Sequence, residues 1–260
     1  MTYHLSIIIP SWNSSKYLNQ CLESSLNQQT SHKYQVVLVD DGSQDNSKAI
    51  YKKYQKPNFN YYLRPHLGQA ATKNYAIKKA KANLILLLDS DDFLTPNAVE
   101  VVIKYFHDHP NINYAYSEHF GVDSNSNIIY KTYKKDFLAK NAFKYQEDLI
   151  LHCCFHGHLM AMRKSVFSDV GGFNQKLPVG VDYDWILRFT EKYQAGYIPK
   201  YLYYYREHQN GINKLIDKNP SNIEKIIQQA LSRRHIHKKV VYSGRNEVGY
   251  RTYQFLEKLS

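Results

Sequence analysis

Through the first hundred positions apolar residues come in short runs, and two spacings alternate. Leu5–Pro10, Tyr34–Val39, Phe59–Leu63 and Leu84–Leu88 are compact apolar stretches bounded by polar or turn-forming residues, and they read as strands. Between the first two, Tyr17, Leu18, Cys21, Leu22 and Leu26 share one side of a helix that Ser14 or Ser15 can cap. Further helices are expected over Ser43–Gln55, with Asp45 favourable in its first turn, and over Gln69–Lys81. Another runs from Pro96 through Val99, Val102, Ile103 and Phe106 and stops before Pro110. The unbroken Val-Val-Leu-Val of the second strand predicts cover on both faces. Strands alternating with helices of this length predict βαβ units and a mostly parallel sheet flanked by helices, an α/β fold of Rossmann-like kind.

After Pro110 the rhythm changes. Tyr114–Ser117, Ile128–Tyr133 and Leu159–Arg163 read as strands, Asn141–Ile150 and Asp182–Tyr193 as helices, and Tyr197–Tyr205 as extended chain. From about Asn210 the chain turns basic and is expected to be helical. The pattern divides the chain into a first half over 1–115, a second half of the same domain over 116–210 that forms a smaller subregion, and a basic C-terminal extension over 211–260.

In open parallel sheets ligands bind beyond the carboxyl ends of the strands. That is where the polar residues gather. Ser11-Trp12-Asn13 follows the first strand, Asp40-Asp41-Gly42-Ser43 the second, and Asp89-Ser90-Asp91-Asp92 the fourth. Three carboxylates within four residues repel one another unless a cation sits among them. Mg²⁺ and Mn²⁺ prefer oxygen ligands and take one or two carboxylates plus substrate phosphates. A helix cap needs one carboxylate, so a metal-assisted phosphate site explains the cluster better.

Charge and composition narrow the partners. The excess of 34 Lys and Arg over 23 Asp and Glu suits an anionic partner: nucleotide phosphates, nucleic acid or an acidic membrane surface. Nucleic-acid binding would need a continuous basic face, whereas the basic residues concentrate in the tail, around Arg233, Arg234, Lys238 and Lys239. No nucleic acid is therefore expected, and the tail fits peripheral contact with anionic lipid. The longest apolar run, Leu84–Leu88, is far too short to span a bilayer, and the start lacks the pattern of a secretory leader. A cytoplasmic protein is expected. The 3 cysteines, Cys21, Cys153 and Cys154, read as free thiols in keeping with that compartment. The His- and Cys-rich run 152–158 would place four candidate ligands, His152, Cys154, His156 and His158, on one strand face, which cannot close a tetrahedron around zinc.

The ordered motifs Leu5–Asn13, Val37–Ser43, Gly68–Asn74, Leu88–Asp92, Val170–Phe173 and Gly180–Trp185 resemble glycosyltransferase family 2 over about residues 3–208. The resemblance implies a GT-A fold and an inverting transfer of sugar from a nucleoside-diphosphate sugar, with a UDP-sugar the expected donor. It places Pro10, Trp12 and Asn13 beside the nucleoside, Asp41 on the base, Asp40 on the ribose or bracing the loop, and Asp89 with Ser90 at the donor. Asp91, Asp92 and His208 become candidate ligands of Mn²⁺ or Mg²⁺, and Arg206 a candidate phosphate contact. Asp182 stands where the family's general base stands, with Asp184 as the alternative. Val181 replaces the acidic residue usual before that base. His156 and His158 are expected near the acceptor, a glycan or lipid-linked glycan. A sugar-phosphate nucleotidyltransferase is disfavoured, because the loop Ser11–Ser15 is not the glycine-rich, basic loop a triphosphate needs. A non-catalytic nucleotide-binding protein is disfavoured by intact Asp89, Asp91 and Asp182.

Overall fold

The computed structural model describes residues 2–133, 151, 158–209, 211, 216, 220–245 and 251–257. Four parallel strands form the first half: β1 (Leu5–Ser11), β2 (Tyr34–Asp40), β3 (Phe59–Leu63) and β4 (Leu84–Leu87). They lie in the order β3-β2-β1-β4. Every residue of β1 is buried, as a central parallel strand requires, whereas β3 at the edge alternates between buried and open positions. Alternate side chains split the interior in two. Ile8, Val37, Ile85 and Leu87 face one hydrophobic cluster, and Ile7, Ile9, Leu38 and Leu86 the other.

The second cluster is closed by α1 (Leu18–Leu26) and α4 (Ala98–Asp108). In α1, Leu18, Cys21, Leu22, Ser25 and Leu26 are buried, at the helical spacing that the sequence predicts. The helix α2 (Ser47–Tyr51) is shorter than expected. Its upstream residues are held in loop contacts instead: the Ser43 amide donates to Asp40 Oδ1 at 2.9 Å, and Asp45 accepts from the amides of Ser15 and Ser47, each at 2.9 Å. The first cluster is covered by α3 (Gln69–Lys79), α5 (Lys164–Val170) and α6 (Val181–Phe189).

The second half extends the same sheet. A two-residue strand, β5 (Phe93–Leu94), is followed after α4 by β6 (Tyr114–Val122), β7 (Ile128–Lys131), β8 (Met160–Arg163) and β9 (Gly196–Arg206). The order continues β4-β8-β6-β9-β5, with β7 paired to β6. Here β8 is antiparallel to both β4 and β6, while β6 and β9 are parallel. The helix expected over 141–150 lies outside the described residues.

Beyond residue 210 the chain is helical only in part. After α7 (Ser221–Arg233) comes an antiparallel pair, β10 (Lys238–Arg245) with β11 (Arg251–Glu257). Val240, Val241 and Tyr242 in one strand and Tyr253 and Phe255 in the other supply β-branched and aromatic residues suited to a pleated surface, which outweighs the basic composition. Ile223, Ile226, Ile227, Leu231, Val240 and Tyr253 join the same cluster as Trp185 and Phe189. Gly180 enters α6 with φ +73°, and a Cβ there would lie 2.6 Å from Ile223 Cδ1, so both backbone angle and packing demand glycine. Arg233 pairs with Glu191 at 2.8 Å, so part of the basic character is satisfied internally. Among the described residues no helix is long and apolar enough to cross a membrane.

Candidate active site

The strand order reverses at β1, which has β2 and β3 on one side and β4 on the other, and this is the crevice where α/β sheets take ligands. The three polar turns meet there. The Asp41 amide donates to Ser11 O at 2.8 Å, the Asn13 amide to Ser43 Oγ at 2.9 Å, and the hydroxyls of Ser14 and Ser90 lie 2.6 Å apart. Pro10 is buried within β1, while Trp12 is 52% exposed and stacks on His66, with ring centroids 4.6 Å apart. Asn13 adopts φ 49° and accepts from the Gln44 amide. Trp12 is therefore a surface ring at the mouth of the crevice, not part of the core.

Asp40 and Asp41 are both buried. Asp40 braces its own turn through Ser43. Asp41 accepts from the Leu67 amide at 3.0 Å and the Gly68 amide at 2.8 Å, and His66 Nδ1 lies 2.8 Å from its Oδ2. The Asp41 carboxylate thus organises the loop carrying His66, the residue that meets Trp12. The sequence reading did not single out His66.

The run Asp89–Asp92 divides into two buried residues, Ser90 and Asp92, and two part-exposed ones, Asp89 and Asp91. Asp92 is buried and fully engaged: Tyr203 Oη donates to its Oδ2 at 2.7 Å and the Arg206 amide to its Oδ1 at 2.7 Å. Burial, with Asp91 and Asp89 nearby, pushes its carboxyl well above the usual carboxylate range. The Asp89 amide donates back to Tyr203 Oη at 3.2 Å. The side chains of Asp89 and Asp91 are instead part-exposed. Asp91 Oδ2 lies 2.9 Å from Nε2 of His208, whose ring stands 5.2 Å from that of Tyr17. Arg206 does not face the crevice. Its guanidinium is buried on Asp91 O, Asp123 O, Ser126 Oγ and Gln20 Oε1.

Asp182 lies in the first turn of α6. Both its oxygens accept from Lys73 Nζ, at 2.9 and 2.8 Å, and the same ammonium lies 3.3 Å from Asp89 Oδ1. Lys73 is 1% exposed. Burial alone would lower its pKa, but Asp182 and Asp89 outweigh that and hold it charged above the ordinary lysine value. Desolvation pushes the Asp89 carboxyl up, Lys73 opposes, and Asp182 and Asp91 add to the rise. Lys73, Leu87, Asp89, Leu159, Met160, Asp182 and Tyr203 line one small cavity. Lys73 was missed as a site residue although a signal existed: it is a lone cation on a helix face otherwise made of Ala70, Ala71, Ala76 and Ile77.

The loop before α6 is fixed by hydrogen bonds. Asn74 accepts from the Phe173 amide and donates to Phe173 O, each at 2.8 Å, and Trp185 Nε1 donates to Gly171 O at 3.0 Å. Asp184 is buried and belongs to this scaffold. It accepts from Arg188 Nε and Nη2 at 3.0 and 2.8 Å, and Arg188 donates onward to the carbonyls of Val170, Gly171 and Gly172. Replacing Asp184 by alanine leaves a half-buried guanidinium unpaired and is expected to cost about 3 kcal/mol, measurable by urea denaturation. The His158 ring stands 4.3 Å from His119 and 4.2 Å from Tyr205, beside the cavity. His156, Cys153 and Cys154 lie outside the described residues.

A cation at Asp91 and His208 would find one carboxylate and one imidazole. Among the described residues no group of three or more His, Cys, Asp or Glu is arranged around a single point. Two protein ligands fit an ion that completes its shell with substrate phosphates and water, as Mg²⁺ and Mn²⁺ commonly do.

The glycosyl transferase family 2 model matches residues 6–171, which include the crevice turns and Lys73 and end where the loop pinned by Asn74 begins. The chain belongs to glycosyltransferase family 2, and so is a glycosyltransferase with the GT-A fold. Over 242 residues it is 31% identical to the chondroitin synthase of Escherichia coli, covering 92% of this chain and 34% of that protein. Against the hyaluronan synthase of Pasteurella multocida it is 29% identical, covering 89% of this chain and 23% of that protein. The chain thus spans about a quarter to a third of these relatives. The S. aureus TarS 1-349 structure in complex with UDP-GlcNAc superposes with a TM-score of 0.70 at 20% identity, over 88% of this chain and 66% of that one. A mannosyltransferase from Pyrobaculum calidifontis, in complex with GDP-Man and Mn2+, gives a TM-score of 0.67 at 18% identity, over 89% of this chain and 65% of that one.

Proposed function

We propose that this chain is an inverting transferase that moves a sugar from a UDP-sugar to a hydroxyl of a growing or lipid-linked glycan, with Asp182 as general base. The observation that carries this reading is the single cavity lined by Asp89 on the donor side and Asp182 on the other. Trp12 packs on the base and Asn13 borders the nucleoside. Asp40 and Asp41 hold the loops around the nucleoside, Asp41 acting through His66, and Asp89 with Ser90 holds the donor. Asp91 and His208 would hold Mn²⁺ or Mg²⁺, with Asp92 fixing the turn behind them, and the ion would neutralise charge on the departing diphosphate. The acceptor enters on the His158 side. Its hydroxyl proton passes to Asp182 as its oxygen bonds to the anomeric carbon, and the bond from that carbon to the diphosphate oxygen breaks on the opposite face. The UDP-GlcNAc of the TarS complex and the polysaccharide-synthesising relatives favour this donor class and acceptor.

Calorimetric titration with UDP tests the reading. Binding is expected to need Mn²⁺, and Asp91→Ala or His208→Ala is expected to weaken that dependence; metal-independent binding would contradict it. Trp12→Ala is expected to weaken UDP binding about tenfold through lost base stacking, read in the same titration.

A further inference from the structure

Lys73 sits between the donor side and the base, and a carboxylate on each side engages its ammonium. It donates to both oxygens of Asp182 and forms an ion pair with Asp89 Oδ1 at 3.3 Å. The burial order matters as much as the contacts. The side chain of Lys73 is 2% exposed, against 41% for Asp89 and 29% for Asp182, so the cation forms the floor and the carboxylates stand over it. A ligand entering the cavity reaches the ammonium only by taking it from a carboxylate. The backbone below cannot follow, because the adjacent Asn74 is clamped to Phe173 in both directions. Movement is confined to the flexible lysine side chain, whose ammonium lies 5.7 Å from the centroid of the Phe173 ring.

As it stands, the arrangement opposes the chemistry assigned to Asp182. A carboxylate whose two oxygens both bind a cation is a weak acceptor for a hydroxyl proton. A nucleoside diphosphate placed at Asp89 and Asp91 brings a denser negative charge to the same ammonium. We infer that Lys73 is a latch between donor and base: it holds Asp182 while the donor site is empty, and turns to the diphosphate when it fills, leaving Asp182 free to take the acceptor's proton. The latch rests on the donor and base assignments above. It adds an order to the reaction, because the base becomes available only after the donor has bound. Lys73 is then a positioning residue toward Asp182 and a direct contact of the donor.

Binding alone can test this, without turnover. If donor and base compete for Lys73, removing the charge of Asp182 must improve donor binding. Titrating UDP in the presence of Mn²⁺ into the full chain, Asp182→Asn is expected to bind about 5- to 10-fold tighter than the unaltered protein. Lys73→Met is expected to bind at least about tenfold more weakly. The double variant Lys73→Met/Asp182→Asn should bind like Lys73→Met, the gain from Asp182→Asn having vanished. Lys73→Gln, which is uncharged but keeps a polar head for Asp182 and Asp89, serves as the reference in the same cycle if Lys73→Met fails to fold, with Lys73→Gln/Asp182→Asn expected to bind like Lys73→Gln. An unchanged or weaker affinity in Asp182→Asn, or a gain that persists without Lys73, overturns the latch while leaving the donor site intact. Absence of UDP binding by the unaltered chain overturns the donor reading and the latch with it.

Discussion

Replacing Asp182 by asparagine is expected to lower the rate of sugar transfer by about a thousandfold, the scale of a lost general base. The substitution is nearly isosteric and leaves an acceptor oxygen for Lys73, but it removes one of the two carboxylates on that buried ammonium, with Asp89 remaining at 3.3 Å. The midpoint of thermal unfolding should therefore fall modestly, and transfer measured well below it would separate chemistry from folding. Asp184, two residues on, gives the opposite pattern. It is buried against Arg188 and cannot reach an acceptor, so its loss acts through stability. Measuring transfer and unfolding for both variants distinguishes the two carboxylates; loss of transfer in the Asp184 variant with its stability kept, while the Asp182 variant stays active, would move the base assignment to Asp184.

What the sequence showed and what it hid follow from the range of the forces involved. The parallel half was legible because Ile7, Ile8 and Ile9 or Val36–Val39 have no choice but to be covered on both faces, and strand ends then fall where the polar turns begin. The convergence of Ser11–Asn13, Asp40–Ser43 and Asp89–Asp92 follows from that topology alone. The division of labour within Asp89–Asp92 was not legible. Asp92 is drawn inward by Tyr203 and the Arg206 amide, partners more than a hundred residues away, and nothing local distinguishes it from Asp91. The reading of Arg206 as a phosphate ligand failed for the same reason: an arginine beside a histidine near an acidic cluster looks like a donor contact until its buried acceptors are known. The β10–β11 pair was obscured by its lysines and arginines, since strand preference there depends on Val240 and Tyr253 reaching a core that only the folded chain provides.

Arg206 carries the second large expectation. Its Nε donates to Asp91 O at 2.8 Å, Nη1 to Asp123 O at 2.9 Å and Nη2 to Gln20 Oε1 at 2.6 Å, and its guanidinium carbon lies 4.5 Å from the Tyr17 ring centroid. One side chain thus ties the turn after β4, the turn between β6 and β7, and helix α1. Methionine would fill much of the volume but leave these part-buried acceptors without their donor, each at a cost of roughly 1–3 kcal/mol where water does not replace it. Arg206→Met is expected to destabilise the fold by about 4 kcal/mol, lowering the melting midpoint by about 10 °C. Arg206→Lys should recover little, because one ammonium cannot reach three separated acceptors in the plane that a guanidinium spans. The damage should also reach the site, since Asp91 is held through its own carbonyl and His208 is aligned on Asp91. Metal-dependent UDP binding, measured well below the lowered melting midpoint, is therefore expected to weaken in Arg206→Met. A variant that melts earlier yet binds UDP and Mn²⁺ as before would show that Asp91 and His208 are positioned independently of the guanidinium beneath them.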